Sequence, residues 1–450
     1  MSAGELLQQV RLVDPISATD RVVDVWIADG CIQQISADGI DVPEQTTVRN
    51  CSGLVLGPGL IDSYSHSGEP GHEERETLDS LLAAARCGGF TRMAILPDTI
   101  GRLDNPSSIA FVRQRCLQIA TVPSVSVWAG MFLYGTEGSS PSGKGPSMAE
   151  LAELAQVASV AGFADGEPLS DLVLMRRLLE YAKLYQLPVA LYACDASVGG
   201  VMREGIDSVR CGLPGCSAIA HTAPLAALLE VVAVTQTPVH IMRVSTQRGV
   251  ELIADAKRRQ LPVTASTTWM HLLLDTTAIA PLSSTGDGLA DAYNPNLNLN
   301  PPLGTPSDRA ALQQGVQTGT IDAIAIDHTP YTYEEKTVPF SVAPPGAIGF
   351  ELALPLLWEG LVANQKWTAI DLWRALSASA ARCLQQKPTK IAPGEPAELV
   401  LFDPQAHWRC VCFHLQSAAS NTFWYNKSIP GRVVRVWSHR QQFSTDIRDV

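Results

Sequence analysis

The chain has 450 residues, of which 46% are apolar, and its formal net charge is −12; this length predicts one large domain with a sizeable core and a smaller one. Because no stretch is rich in Lys and Arg and no apolar run reaches about 18 residues, we expect neither a nucleic-acid partner nor a membrane span. The first residues lack the basic start and apolar middle of a signal peptide, so we expect a cytoplasmic protein.

Both ends of the chain carry short segments in which apolar and polar residues alternate. At the amino-terminal end they are QVRLVDP, RVVDVWIADG, CIQQISADG and VRNCSGLVLGPG; at the other end they are AELVLFDP, HWRCVCFHL, GRVVRVWSH and QQFSTDI. Alternation with a period of two predicts half-buried β-strands. We expect the two sets to meet in one small accessory β-sandwich, made of residues 1–57 and 389–450.

Residues 58–388 follow a different pattern, in which uniformly apolar strand segments alternate with helical segments. The strand segments include TRMAILPD, SVSVWAGMF, PVALYACD, PVHIMRVS, PVTASTTW and DAIAIDH, and the helical segments include SMAELAELAQVASV, SDLVLMRRLLEYAKLYQ and GVELIADAKRRQ. About eight such units predict an α/β fold, a parallel (β/α)8 barrel of the TIM type. Loops are predicted at 136–147 and at 293–304, the second over the mouth of the barrel.

In such a barrel the functional residues lie at the carboxyl ends of the strands. The polar residues that the sequence places there are Asp62 to His66, Asp98, Asp165, Tyr192, Arg243 and Asp327.

Several blocks of this sequence resemble the bacterial dihydroorotases of the cyclic amidohydrolase family. They are GPGLIDSYSHSGEPGHEERET (57–77), GGFTRMAILPDT (88–99), ADG (164–166), HLLLD (271–275), LNPPLGTPSDRAAL (299–312), GTIDAIAIDHTP (319–330) and APPGAIGFELALPLL (343–357). The resemblance covers nearly the whole chain, and it implies a metal-dependent (β/α)8 barrel with an accessory β domain. It also implies the interconversion of carbamoyl aspartate and dihydroorotate, which needs a metal-activated water and a carboxylate that carries the proton.

The resemblance assigns the family's metal ligands to six positions, and half of them have changed. The retained ligand types are His66, Asp165 and Asp327, of which Asp327 also matches the family's proton shuttle. The positions at which the family usually has histidine hold Tyr64, Tyr192 and Arg243. Since a guanidinium stays protonated and cannot bind a metal, we expect Arg243 to replace the positive charge of the metals and to pair with Asp165 or Asp327.

The positions that match the family's substrate contacts have changed as well. An arginine of the family is replaced by Gly68, an asparagine by Asp98, and a histidine by Tyr331, whereas Asn300 still matches. The first change removes a cation, and the second places a carboxylate where the substrate carboxylate would lie. Like charges in a partly desolvated site cost on the order of a few kcal/mol, which is enough to lose two or three decades of affinity.

These observations favour a pseudoenzyme that needs no cofactor. The resemblance implies a structural or regulatory role in pyrimidine biosynthesis, with aspartate transcarbamoylase or a second copy of the chain as partner. The alternative is an active dihydroorotase or another cyclic amidohydrolase, with one zinc on His66, Asp165 and Asp327 and with Tyr64 as an added phenolate. A third interpretation is a small-molecule sensor in which Arg243 anchors an anion.

Four other polar residues have simpler interpretations. His240 lies within a buried strand and is predicted to be a hydrogen-bonded core imidazole. His328 follows Asp327 and, by strand alternation, is predicted to point away from it. His271 is predicted to form hydrogen bonds at a helix start, and Lys336 is predicted to be solvated.

Overall fold

The computed structural model describes residues 4–119, 123–133, 147–165, 171–279 and 292–438. Most of the predicted loop 136–147, Gly166 of the ADG block and the predicted strand QQFSTDI lie outside these ranges. Within them, no helix has the length and the apolar character needed to cross a membrane.

The strands fall into three groups. The first group, near the two ends of the chain, is β1 (Glu5–Asp14), β2 (Thr19–Ala28), β3 (Cys31–Ser36), β4 (Thr47–Asn50), β5 (Val55–Pro58), β18 (Leu399–Arg409) and β19 (Ser428–Trp437). The second is β6 (Leu60–Ser65), β7 (Phe90–Ile95), β8 (Ser124–Gly130), β11 (Val160–Ala164), β12 (Val189–Tyr192), β15 (Val239–Met242), β16 (Val263–Thr268) and β17 (Ala323–Ala325). The third consists of the two-residue strands β9 (Phe132–Leu133), β10 (Ser147–Met148), β13 (Met202–Arg203) and β14 (Gly215–Cys216).

The helices lie mainly between the strands of the second group. They are α1 (Leu78–Cys87), α2 (Pro106–Gln118), α3 (Leu151–Leu154), α4 (Leu172–Ala182), α5 (Ile206–Cys211), α6 (Ile219–Thr235), α7 (Gln247–Arg258), α8 (Trp269–Leu273), α9 (Pro306–Thr318), α10 (Tyr333–Lys336), α11 (Phe350–Leu357), α12 (Ala369–Trp373) and α13 (Ser379–Cys383). Wider π-type turns at Trp358–Ala363 and Arg374–Ala378 follow α11 and α12.

The second group of strands forms the predicted parallel barrel. The strand order is β17-β16-β15-β12-β11-β8-β7-β6, and every neighbouring pair is parallel. The two end strands meet where they finish, because Asp327 N–H donates to Tyr64 O at 3.2 Å and His66 N–H donates to His328 O at 2.9 Å. The carboxyl ends of all these strands therefore lie at one end of the barrel, as the sequence predicts.

Several helices cover the barrel through one apolar face, and α7 shows how the sequence sets this. Thr246 caps its first turn by accepting a hydrogen bond from Gly249 N–H, and Ile253 and Ala256 are buried three residues apart. Of the predicted helix SMAELAELAQVASV, only Leu151–Leu154 is helical, since Ser147–Met148 forms β10 and α3 ends at Leu154. The β-branched residues at 157 and 160 favour the extended chain that enters β11.

The strands from the two ends of the chain form one sheet. Its order is β19-β18-β5-β1-β2-β3, with β4 also beside β1, and β1 runs parallel to β4 and β5. The segment HWRCVCFHL is not a strand of its own. Its first residues continue β18 after a register shift between Asp403 and His407, and the chain leaves the strand at Cys410.

A partly buried ion pair joins this sheet to the amino-terminal half of barrel strand β7. Arg92 donates from Nε and Nη2 to the two carboxylate oxygens of Glu398, at 2.7 and 2.6 Å. The hydroxyls of Thr91 and Thr389 donate to the same oxygens at 2.7 and 3.0 Å. The side chains of Arg92 and Glu398 are 21% and 13% exposed. Loss of either partner therefore leaves a charge with little access to water.

We expect Arg92→Ala to lower the free energy of unfolding by about 2–4 kcal/mol, because it strands the carboxylate of Glu398. The control is Arg176→Ala on α4, which removes an exposed pair with Glu180 and is expected to cost less than about 0.5 kcal/mol. Urea unfolding of both variants measures the difference. Equal losses in the two variants would contradict the structural importance of this pair.

Candidate functional site

A cavity of about 220 Å³ opens at the carboxyl end of the barrel strands. The segments that follow β6, β7, β15, β16 and β17 contribute to its walls, and Asn300 brings the predicted mouth loop 293–304 into it. Its polar lining includes His66, Asp98, Arg243, Thr268, Asn300 and Asp327. The structure thus brings together most of the residues that the sequence places at strand ends.

The central contact in this cavity is a bidentate ion pair between Arg243 and Asp327. Arg243 donates from Nε to Asp327 Oδ2 at 2.8 Å and from Nη2 to Oδ1 at 2.7 Å. The two side chains are only 4% and 12% exposed. Burial opposes the charged form of both groups, but their attraction outweighs it, so the pKa of Arg243 is raised and the pKa of Asp327 is lowered.

The backbone of both residues is left-handed, with φ of 56° at Arg243 and 51° at Asp327. Arg243 directly follows β15, and Asp327 lies two residues after the end of β17. Non-glycine residues rarely adopt this conformation, so the surrounding contacts must stabilise it.

Tyr64 provides one of these contacts. Its fully buried hydroxyl accepts a hydrogen bond from Arg243 N–H at 3.0 Å and another from Ser266 Oγ at 3.2 Å. The Arg243 guanidinium carbon lies 5.8 Å from the centre of the Tyr64 ring. Tyr64 stands at a position where the resemblance predicts a histidine, and its hydroxyl binds the backbone N–H of Arg243.

His240 supports this arrangement from the core. Its two ring nitrogens lie 2.9 Å from the hydroxyl oxygens of Thr264 and Ser266, and it is fully buried. The prediction of a hydrogen-bonded core imidazole is confirmed. Through Ser266 this imidazole is connected to the hydroxyl of Tyr64.

His66 lies between the two carboxylates of the cavity. Its Nδ1 is hydrogen-bonded to Asp98 Oδ2, while its Nε2 is 2.9 Å from Arg243 Nη2 and 3.5 Å from Asp327 Oδ1. Burial and the nearby charge of Arg243 lower the pKa of His66. The carboxylates of Asp98 and Asp327 have the larger effect and raise this pKa to about 9. The Asp98 carboxylate is thus bonded to the His66 imidazole, as the Asp327 carboxylate is bonded to the Arg243 guanidinium.

Tyr192 and Asn300 bind each other at the edge of the cavity. The Tyr192 hydroxyl donates to Asn300 Oδ1 at 2.7 Å, and the Tyr192 ring centre lies 5.3 Å from the Arg243 guanidinium carbon. The side-chain oxygen of Asn300, which the resemblance predicts to be a retained substrate contact, is thus already bonded within the protein.

Asp165 lies beside Arg102 and is not the partner of Arg243, which the sequence leaves as one possibility. Its buried side chain lies 3.7 Å from Arg102 Nη1, whereas Arg243 pairs with Asp327. Of the two carboxylates predicted for Arg243, the bidentate partner is Asp327. No sequence motif singles out Arg102.

Gly68 stands where the family has an arginine, and the loop leaves no room for a side chain there. A Cβ atom at Gly68 would lie 2.4 Å from Glu76 O and 2.6 Å from His72 O. The sequence also missed Arg75, which lines the cavity from the same loop. Arg75 is paired with Glu335, so it does not offer an unpaired cation in place of the lost arginine.

His271 and His328 lie as predicted. His271 has its Nδ1 2.7 Å from Thr268 Oγ1, at the start of α8, and its Nε2 3.3 Å from Pro302 O. His328 turns away from the cavity, with its Nε2 3.3 Å from Glu76 Oε2.

The prediction that Lys336 is solvated is wrong. It is buried, and its ammonium donates to Pro344 O at 2.7 Å and to Pro295 O at 3.2 Å. The carbonyl groups that surround it belong to separate loops, which the sequence pattern does not bring together.

The donor set does not fit the metal centre that the family implies. Among the residues that the structure describes, no group of three or more His, Cys, Asp or Glu side chains is arranged to hold a metal ion. Both oxygens of Asp327 are bonded to a guanidinium, which a metal would have to displace. Burial also raises the pKa of Tyr64, which disfavours a phenolate ligand.

Comparison with known proteins identifies the family. Residues 55–435 match the model of the Amidohydrolase family, and the chain belongs to that family. Within it, the chain is dihydroorotase-like. It is 42% identical to a probable dihydroorotase-like protein of Synechocystis sp., over 95% of this chain and 98% of that protein. It is 34% identical to a dihydroorotase of Pelobacter propionicus, over 95% of this chain and 96% of that protein.

Solved structures show the same fold at low sequence identity. An L-hydantoinase from Arthrobacter aurescens aligns with a TM-score of 0.80 and 17% identity, over 97% of this chain and 95% of that one. A D-hydantoinase from Thermus sp. aligns with a TM-score of 0.77 and 18% identity, over 99% of this chain and 96% of that one. The barrel with an added sheet from both chain ends is therefore the architecture of cyclic amidohydrolases.

We expect Arg243→Ala to lower the free energy of unfolding by roughly 1–4 kcal/mol, because it leaves Asp327 buried without its cation. Adding Asp327→Asn to this variant is expected to restore part of the loss. Arg248→Ala, on the exposed face of α7, is the control. Chemical unfolding of the wild type, Arg243→Ala, Asp327→Asn and the double variant gives the coupling energy, and additive effects would contradict the pair.

Proposed function

We propose that this chain is a dihydroorotase-like pseudoenzyme. It does not hydrolyse dihydroorotate, and it acts as a structural or regulatory partner in pyrimidine biosynthesis. The observation that carries the proposal is the bidentate ion pair of Arg243 with Asp327.

The pair removes the acid–base function that the family reaction needs. A residue that carries a proton must be able to accept one at working pH. Asp327 stands at that position, but the guanidinium holds the pKa of Asp327 well below its usual range and occupies both carboxylate oxygens. Asp327 is consequently a weak base.

The substrate contacts support the same proposal. The arginine that would bind a substrate carboxylate is replaced by Gly68, where a side chain has no space. Asp98 adds a carboxylate to the cavity wall, and Asn300 is bonded to Tyr192. A dicarboxylate such as carbamoyl aspartate would meet the Asp98 carboxylate and would lack the cation that Gly68 replaces.

An active cyclic amidohydrolase is the second candidate, and two observations favour it. The cavity of about 220 Å³ is retained, and the chain is 34% identical to a protein named dihydroorotase over nearly its full length. This function would require a metal, or another source of a nucleophile, to displace Arg243 from Asp327.

Metal analysis and an activity assay with added zinc separate the two candidates. The proposal predicts substoichiometric zinc and no turnover of dihydroorotate above the protein-free rate. The matched variant Tyr64→His/Tyr192→His/Arg243→His is expected to regain zinc, because it restores the imidazoles that the family uses, whereas Arg248→His is not. About one zinc per wild-type chain together with turnover would overturn the pseudoenzyme proposal.

Aspartate transcarbamoylase is the partner that the family resemblance suggests. We expect the purified chain to co-elute with the aspartate transcarbamoylase of the same organism on size exclusion at micromolar concentration. Self-association of the chain without this co-elution would contradict that partner and would favour a homo-oligomer.

A further inference from the structure

We propose that the rim of the cavity is a docking surface for a protein segment that combines basic and apolar side chains. This inference rests on the proposed role as a partner protein and specifies the surface that such a partner would contact. The surface, here called the acidic rim, consists of Glu73, Glu74, Ile100, Glu334, Tyr333 and Val342.

Contacts bring together the three loops that carry these residues, and each loop also contributes to or adjoins the cavity wall. Gly71 lies against Ile100, since a Cβ at Gly71 would be 2.3 Å from Ile100 Cβ. Arg75 of the first loop is paired with Glu335 of α10, and its guanidinium carbon lies 4.9 Å from the ring centre of Tyr331, which lines the cavity. The loops at 66–76, 98–104 and 331–345 are thus neighbours at the mouth.

Large apolar side chains are exposed on these loops. Ile100 is 58% exposed, Tyr333 is 74% exposed and Val342 is 67% exposed. A single exposed apolar residue needs no explanation, but three on adjoining loops at the edge of a cavity are typical of a contact surface. An aromatic residue among them is the kind that anchors protein interfaces.

The charge of the same loops determines what can bind there. Glu73, Glu74 and Glu334 are exposed carboxylates. The arginines nearby are already neutralised, Arg75 by Glu335 and Arg243 by Asp327.

The rim is therefore negative around apolar side chains, and a complementary partner is positive with apolar residues between its charges. Such a rim repels nucleic acids and anionic lipid surfaces, whereas a basic and apolar protein segment complements both its charge and its exposed side chains.

A binding assay with a short synthetic peptide of alternating arginine and leucine tests the surface directly. Calorimetry would compare the wild type with Glu73→Gln/Glu74→Gln/Glu334→Gln and with Ile100→Ser/Tyr333→Ser/Val342→Ser. The matched control, Glu44→Gln/Glu153→Gln/Glu359→Gln, removes three exposed glutamates outside these loops. All four proteins are compared at low and at moderate salt.

We expect each rim variant to bind the peptide roughly tenfold more weakly than the wild type, and the control variant to bind it as the wild type does. Equal weakening in the rim and control carboxylate variants would show a general charge effect and overturn the proposal. Absence of peptide binding by the wild type would overturn it as well.

The same variants with purified aspartate transcarbamoylase distinguish this inference from the proposed function. If the enzyme binds the wild type and the rim variants equally, the rim is not the interface, although the partner role stands. If aspartate transcarbamoylase binds neither the wild type nor the rim variants, while peptide binding depends on the rim, the docking surface is supported and the choice of partner is wrong.

Discussion

The ion pair between Arg243 and Asp327 is the interaction on which the rest of the site depends. A guanidinium with a fixed charge donates from Nε and Nη2 to both oxygens of the Asp327 carboxylate, in a place that water hardly reaches. The pair satisfies a buried carboxylate that would otherwise need another cation. It thereby allows the barrel to keep its strand ends close together, although the family's ligand set is incomplete.

The other replaced positions act together with this pair. The Tyr64 hydroxyl binds the backbone N–H of Arg243, which has a left-handed conformation, and the rings of Tyr64 and Tyr192 lie near its guanidinium. Asn300 is in turn bonded to Tyr192. Tyr64 and Tyr192, which stand at two predicted ligand positions, thus both contact the arginine at the third, and the three residues form one arrangement. Restoring an imidazole at Tyr64 or Tyr192 alone leaves the arginine in place.

The barrel and much of the site could be predicted from the sequence, because both follow from local patterns. Apolar runs predict the strands, and the position of Arg243 at a strand end predicts that it meets a carboxylate. The choice between Asp165 and Asp327 depends on side-chain directions that spacing does not give. The same holds for Lys336, which is buried among carbonyl groups of separate loops. The closed space at Gly68 depends on how its own loop folds back.

The most direct test of this account is a crystal structure of the wild-type protein grown with excess zinc, with anomalous scattering data collected at the zinc edge. If the ion pair excludes the metal, there is no anomalous peak between His66 and Asp327, and electron density shows the Arg243 guanidinium on both carboxylate oxygens of Asp327. A zinc peak on Asp327, with the Arg243 side chain displaced from it, would contradict the account.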